Sequence, residues 1–370
     1  MMLLAVLSLA IWIYLLAGHG RFWQGGPYLP PAALTPDPLP EIAVIVPARN
    51  EAGSVHACLT SLLAQDYAGE LRVILVDDLS SDGTGALARI IADKRLNVIN
   101  GAPHPPGWSG KLWALQQGIA AAEPAGLLLL TDADIEHAPG HLSSLVGKLE
   151  AGRLDMVSEM VALHCRSAAE RALVPAFVFF FQLLYPFAWV NDPGCPVAAA
   201  AGGTVLIRAE ALDRAGGLAA MRGALIDDVT LARRVKAFGK IWLGHSRLAA
   251  SIRPYETTGD VWRMVARCAY VQLGQSPWML AGTVAGMGLV WLVPPWAALF
   301  GHGWAQLAGV LGWAGMTASY IPTLRRFGLS PLWAACLPAV TVFYGAATLG
   351  SAADHYRGIG VIWKQRAYHG

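Results

Sequence analysis

Gly126-Leu127-Leu128-Leu129-Leu130-Thr131-Asp132-Ala133-Asp134 decides the fold. The apolar run reads as a buried parallel strand, short and closed by a polar stop. An Asp-x-Asp at the carboxyl end of such a strand sits where open α/β sheets bind ligands. Hard carboxylate oxygens there suit Mg²⁺ or Mn²⁺, shared with substrate phosphates rather than held in an all-protein cage. The competing reading is an acidic cap, Asp134 and then Glu136, ahead of a helix starting near Pro139.

Working outward, strands and helices alternate. Residues 42–47 (IAVIVP), 71–77 (LRVILVD) and 97–100 read as strands, and 52–64, 84–93, 110–122 and 139–151 as helices. Buried strands alternating with helices predict an α/β fold, a Rossmann-like, mostly parallel sheet with flanking helices. No G-x-G-x-x-G follows the first strand, so the dinucleotide fingerprint is absent. Each strand ends in a polar cluster: Pro47-Ala48-Arg49-Asn50-Glu51 after the first and Asp77-Asp78-Leu79-Ser80-Ser81-Asp82 after the second. Adjacent carboxylates at a strand end form an Asx-turn and cap, or accept hydrogen bonds from a nucleoside base or ribose. Asp82 is equally a helix cap or a functional group. Asp228 opens a helix over 228–238, where a carboxylate complements the helix dipole or serves as a base.

Composition places the chain at a membrane. Hydrophobic residues make up 55% of the 370 and charged residues 14%, and the mean hydropathy is +0.44, too apolar for an ordinary soluble enzyme. The net charge of +2 does not point to nucleic acid. Five scattered cysteines without a C-x-x-C give neither a disulfide framework nor a zinc site. Residues 1–20 read as an N-terminal anchor with Arg21 on the cytoplasmic side, and 21–40 as a proline-rich stalk. Residues 41–274 form the soluble domain, 275–352 three transmembrane segments, and 353–370 a basic tail. Three spans that start inside would leave the tail outside, so either one segment is re-entrant or interfacial or the count differs. The apolar stretch 172–190 is long enough to span. Its aromatics Phe177, Phe179, Phe180, Phe181, Tyr185 and Trp189 favour an interfacial helix.

VPARNE (46–51), VDDLSSDGT (76–84), GKLWALQQG (110–118), TDAD (131–134), GGTVLIRAEAL (202–212) and DDVTLARRV (227–235) together resemble the inverting family 2 glycosyltransferases of GT-A fold, from about Pro40 to Arg267. GWSGK (107–111) and WKQRAY (363–368) more narrowly resemble the hopanoid-biosynthesis-associated glycosyltransferases of bacterial membranes. The resemblance implies a nucleotide-sugar donor, with UDP favoured, a lipid acceptor, and a multi-pass protein of the bacterial inner membrane with its catalytic domain in the cytoplasm. It implies that Pro47, Arg49 and Glu51 border the nucleotide, that Asp78, with Asp77, meets the base or ribose, and that Lys111 lies near the sugar nucleotide. Asp132 would face the ribose or donor sugar, and Asp134 would hold a divalent metal, Mg²⁺ or Mn²⁺, on the diphosphate. Asp228 would be the general base. Asp227 stands where the family often has Glu, which keeps the charge on a shorter arm.

Arg267 clamps the diphosphate or snorkels beside the membrane. The Q-x-x-R-W string of polymer-making relatives is incomplete at Arg263–Cys268, which argues against a processive synthase. Trp108 stacks on a sugar or anchors its loop. Two other readings stand beside lipid glycosylation: a processive polysaccharide synthase, and a non-catalytic membrane scaffold on the same fold.

Overall fold

A computed structural model describes all residues except 32–37, 123, 225, 359–360, 364–365 and 369–370, with backbone alone at 361–363 and 366–368. Among these, eight strands form one sheet: β1 (Ile42–Ala48), β2 (Leu71–Asp77), β3 (Leu96–Asn100), β4 (Leu127–Thr131), β5 (Ile135–His137), β6 (Met156–Ala162), β7 (Thr204–Arg208) and β8 (Ile241–Ser251). Their order is β3-β2-β1-β4-β7-β6-β8-β5. The first four are mutually parallel. β7 runs antiparallel between β4 and β6, β8 runs parallel to β6, and β5 closes the edge antiparallel to β8. The mostly parallel sheet expected from the strand run is therefore present, with two reversed strands.

The pattern follows from burial. All seven residues of β1 and all five of β4 are buried, because helices cover both faces. One face carries α2 (Val55–Leu63) and α5 (His141–Gly152), and the other α4 (Gly110–Ala121) and α9 (Asp227–Lys236). Each buried Leu, Ile or Val contributes about 1.5–3 kcal/mol. Two short helices, α3 (Thr84–Arg89) and α8 (Ala209–Arg214), complete the domain. The helix expected over 84–93 thus ends early. β5 intervenes where 139–151 was expected to follow β4 directly. Its three residues pair with the end of β8, a long-range partner that no local pattern announces.

Four helical stretches lie beside the domain. α1 (Met2–Ala17) packs on α13 (Trp304–Arg326) and on α12 (Val293–Phe300), which continues α11 (Pro277–Met287) through a π-turn. A 3₁₀ turn, Pro331–Cys336, leads into α14 (Leu337–Tyr356). Pro277–Phe300 and Pro331–Tyr356 are long and apolar enough to cross a membrane. α1 is apolar but only 16 residues long. α13 has the length, but Gln306, Thr317, Ser319, Thr323 and two arginines dilute it, so two of the three expected C-terminal spans meet the test.

Two further placements differ from the sequence reading. The 172–190 stretch forms α6 (Ala168–Leu184) and α7 (Phe187–Asn191). Its aromatics pack on the protein's own interior: Phe179 is fully buried against Phe22 and Tyr320, and Phe180 packs on Trp291 and Tyr344. An amphipathic helix needs an apolar partner, and here the neighbouring helices supply it. Residues 27–29 are no free stalk either. Leu29 N–H donates to the His245 carbonyl at 2.9 Å and His245 N–H to the Pro27 carbonyl at 2.8 Å, so the chain adds itself beside β8. The rest of the proline-rich stretch, 32–37, lies outside the described residues.

α10 (Thr258–Gln272) lies between domain and bundle and touches the domain at both ends. The Ser167 hydroxyl donates to the Tyr255 carbonyl just before it (3.2 Å), and Gln272 Nε2 donates to the Tyr185 hydroxyl at its end (2.5 Å). α14 packs along α10 and ends with the Tyr356 and Tyr270 hydroxyls 2.9 Å apart.

Candidate active site

The sheet's topology gathers chemistry on one edge. β1, β2, β4 and β8 all end there, and antiparallel β7 begins there. Arg49, Glu51, Asp78, Asp132, Asp134, Gly202 and Arg253 therefore converge, and the first turn of α9 brings Asp227 and Asp228. This is the carboxyl-end crevice of an open α/β sheet.

A pocket with about 370 Å³ of open space is lined by Pro47, Lys111, Asp132, Gly202, Asp227 and Asp228 over an apolar floor that includes Leu115, Leu130 and Met221. Lys111 Nζ lies 2.8 Å from Asp132 Oδ1 and 3.7 Å from Asp227 Oδ2. Burial works against its charge, but Asp132 and Asp227 outweigh it and raise its pKa. Asp228 Oδ2 accepts from Gly202 N–H at 2.8 Å, and Oδ1 from Val229 N–H at 2.8 Å. A Cβ at Gly202 would come within 3.1 Å of that carboxylate, so glycine is what lets the approach to β7 carry its amide to Asp228. Burial, then Asp227, push the Asp228 carboxyl up to about 6 against the pull of Lys111. A base with a pKa near neutrality is suited to accept a proton at physiological pH.

A second cluster adjoins the first. Arg253 Nε donates to Asp134 Oδ2 at 2.6 Å and Nη2 to Glu51 Oε1 at 2.5 Å. Burial raises the Asp134 pKa despite Arg253. Among the described residues no three His, Cys, Asp or Glu side chains form a metal cage. The donor set nevertheless fits a hard dication completed by phosphate oxygens, the usual way Mg²⁺ is bound. Asp134 is buried among carboxylates, and Asp132, two residues before it, is half-exposed in the pocket wall.

At the third strand end, Asp78 is fully buried and its carbonyl accepts from Arg49 Nη1 at 2.5 Å. Asp77 turns away: Oδ1 accepts from Ser80 N–H at 3.1 Å in an Asx-turn, and its other oxygen crowds Gly85 of α3. Asp82 ties two loops, accepting from Ala52 N–H at 3.0 Å and Thr84 N–H at 3.0 Å. Trp108 packs edge-on against Trp113 and anchors its loop. Arg267, on α10, is exposed and in electrostatic contact with Tyr255 and Asp132.

Lys111, Pro47, Asp132, Asp227 and Asp228 thus share one pocket, with Glu51 and Asp134 beside it, while Asp77 is spent on a turn. Sequence reasoning missed Arg253. Its one signal is Ser251-Ile252-Arg253-Pro254, where proline ends a strand and leaves an arginine at the edge.

Residues 43–216 match the family model described as Glycosyl transferase family 2. An N-acetylglucosaminyltransferase of Bradyrhizobium elkanii is 35% identical over 116 residues, 30% of this chain and 61% of that protein. The succinoglycan biosynthesis protein ExoO of Rhizobium meliloti (strain 1021) is 32% identical over 154 residues, 40% of this chain and 42% of that protein. The matches therefore span less than two thirds of either relative. The solved structure of a mannosyltransferase from Pyrobaculum calidifontis, in complex with GDP-Man and Mn²⁺, superimposes with a TM-score of 0.53 at 20% identity over 94% of this chain and 99% of that one, a likeness of fold. The family match ends before Asp227 and Asp228, whose place rests on geometry. Residues 43–216 thus carry the likeness to family 2 glycosyltransferases, and the sheet that gathers these carboxylates has a GT-A-like fold.

Proposed function

We propose that the protein transfers a sugar from a nucleotide-sugar donor to a lipid acceptor at the membrane surface, by inverting single displacement. The observation that carries this reading is the placement of Asp228, held by two backbone amides at the mouth of a pocket shared with Asp132 and Lys111. The acceptor hydroxyl oxygen attacks the anomeric carbon, the carbon–phosphate-oxygen bond breaks, and the acceptor proton passes to Asp228. The nucleoside diphosphate leaves. Lys111 and Arg253 bring positive charge to the side where the diphosphate departs. When bound at Asp134 and Asp132, Mg²⁺ or Mn²⁺ adds Lewis-acid stabilisation of that leaving group. Arg49 and Asp78 shape the nucleotide end, and Arg267 extends the positive field from α10.

The lipid acceptor is supported by α10, which borders the site and lies against helices long enough to cross a membrane. A multi-pass inner-membrane protein with a cytoplasmic catalytic domain follows on this reading. A hopanoid-related acceptor follows from the subfamily resemblance alone. The names of the relatives favour a second reading, N-acetylglucosamine transfer in polysaccharide assembly.

Nucleotide release by purified protein, across a panel of sugar nucleotides with bacterial lipid extract and Mn²⁺ or EDTA, separates the readings. Labelled sugar in the lipid phase, released nucleotide lost with EDTA and in Asp228→Asn, is the expected result. Label in a growing soluble polymer would replace the first reading with the second. No release from folded protein that binds nucleotide would point to the scaffold.

A further inference from the structure

Behind the site runs a chain of buried polar groups to which the reaction assigns no part. Glu159 of β6 is fully buried, and His141, His137 and Thr131 are 1%, 3% and 1% exposed. Glu159 Oε2 is hydrogen-bonded to His141 Nε2. His141 Nδ1 lies 2.8 Å from His137 Nδ1, the two rings stacked at 5.0 Å between centroids. His137 Nε2 lies 3.2 Å from the Thr131 hydroxyl, which donates to the Gly203 carbonyl at 2.9 Å.

The direction of each bond follows from counting protons. The Thr131 proton goes to Gly203, so Thr131 Oγ1 accepts from His137 Nε2–H. A neutral His137 then accepts at Nδ1 from His141 Nδ1–H. Burial, then His141, hold His137 well below the usual histidine range, which keeps it neutral. One proton remains, shared between His141 Nε2 and Glu159 Oε2. The row has zero net charge wherever that proton sits, so Glu159 is buried beside its proton partner and not as an isolated charge.

The far end of the row is the segment Ala201–Gly203. The Gly203 carbonyl also accepts from Asp132 N–H at 3.3 Å, and Gly202 N–H holds Asp228. Ser158, next to Glu159, clamps the same segment, donating to the Ala201 carbonyl at 3.1 Å and accepting from Ala201 N–H at 2.8 Å. We infer that Glu159, His141, His137 and Thr131 are positioning residues that lock the Ala201–Gly203 segment, and through it set the spacing between Asp132 on the donor side and the base Asp228. This rests on the glycosyl-transfer reading for its kinetic arm, and on hydrogen-bond geometry alone for its spectroscopic one.

The test uses full-length detergent-purified protein. Glu159→Leu and Thr131→Val each remove one link while keeping bulk. The expected result is a kcat lower by roughly tenfold or more for each, with UDP binding by calorimetry near wild type and a melting temperature lower by a few degrees, as one unpaired buried group requires. Glu159→Gln, whose amide can donate to His141 Nε2, and Thr131→Ser recover most of the loss. A folded Glu159→Leu or Thr131→Val protein that turns over at the wild-type rate overturns the inference. So does a Glu159→Gln protein as slow as Glu159→Leu. If Glu159→Leu does not fold, the Thr131 pair decides. Histidine-labelled wild-type protein should also show a strongly deshielded, slowly exchanging proton on a ring nitrogen, lost in Glu159→Leu or, where that protein does not fold, in a His141→Gln protein. Its absence from wild type overturns the inference. This signal reads the network even if no sugar transfer is found, so failure of the activity and failure of the network are told apart.

Discussion

Asp228 and Arg253 show what one residue can and cannot announce. The pattern Asp227-Asp228 at a helix start is local, so its place at the edge of the sheet was legible from the sequence, as were the places of Asp132, Asp134 and Lys111. Arg253 reaches Glu51 and Asp134 only because β8 lies parallel to β6 at the far side of the sheet. Glu159 and the two histidines were illegible for the same reason, since their partners come from β6, α5 and β5. Asp77 failed in the opposite sense, because adjacent aspartates on a strand exit face opposite ways and only one can point into the crevice. The Asp228 carboxyl, pushed up to about 6, makes a pH prediction. On the proposed reading its carboxylate is the base, so kcat should fall about tenfold per pH unit below about 6 and level off above it. It is faced by Asp227 from its own helix, Lys111 from α4 and the Gly202 amide from the segment before β7. Asp228→Asn should abolish that limb and cost about 10²–10⁴ in kcat. A limb unchanged in the mutant would assign it elsewhere.

Among elements, the core strands were read nearly to the residue because continuous apolar runs leave few alternatives. α6 was read as apolar and placed against the wrong partner, since periodicity gives a face and never its neighbour. Its first turn repays inspection. Glu170 is fully buried and accepts from Tyr255 N–H at 2.7 Å, from Arg166 and Ser167 N–H at 2.8 Å each, and pairs with His164 at 2.6 Å. Burial works against the charged form, but these bonds outweigh it and hold the carboxyl at about 2. The capping box at the start of α6 therefore also fixes the loop that carries Arg253. Because the folded pKa lies below the ordinary value of 4.5, this stabilisation is complete above pH 4.5 and fades as pH falls from there toward 2. Glu170→Ala should destabilise the protein by roughly 3 kcal/mol and loosen residues 252–257, read by hydrogen exchange. Unchanged exchange in that loop would detach α6 from the site.

For the whole molecule, the topological conflict in the sequence has a geometric answer. The end of α13 docks on the domain, where Arg326 Nη2 donates to the Gly25 carbonyl at 2.9 Å and Nε to the Tyr28 hydroxyl at 2.9 Å. The chain then turns back beside the middle of α13, where Trp313 Nε1 donates to the Ala335 carbonyl at 3.3 Å. From there α14 climbs along α10 to Tyr270. It begins beside the middle of α13 and ends on the domain's side, and we propose on that ground that the segment does not carry residue 357 across a membrane. In a Cys336→Ala background, a membrane-impermeant maleimide should label Arg357→Cys from the same side as Ile90→Cys on the domain, and His302→Cys from the opposite side. Labelling of position 357 together with 302 would restore a full third span.

α10 is held to the domain at both ends, and on the lipid-acceptor reading that sets where the pocket meets the bilayer. On the lipid-acceptor reading, the acceptor arrives by lateral diffusion within a plane rather than from bulk water. The relevant concentration is then a mole fraction. Diluting the acceptor with inert lipid at constant total amount should slow the enzyme, whereas adding buffer at constant lipid composition should not.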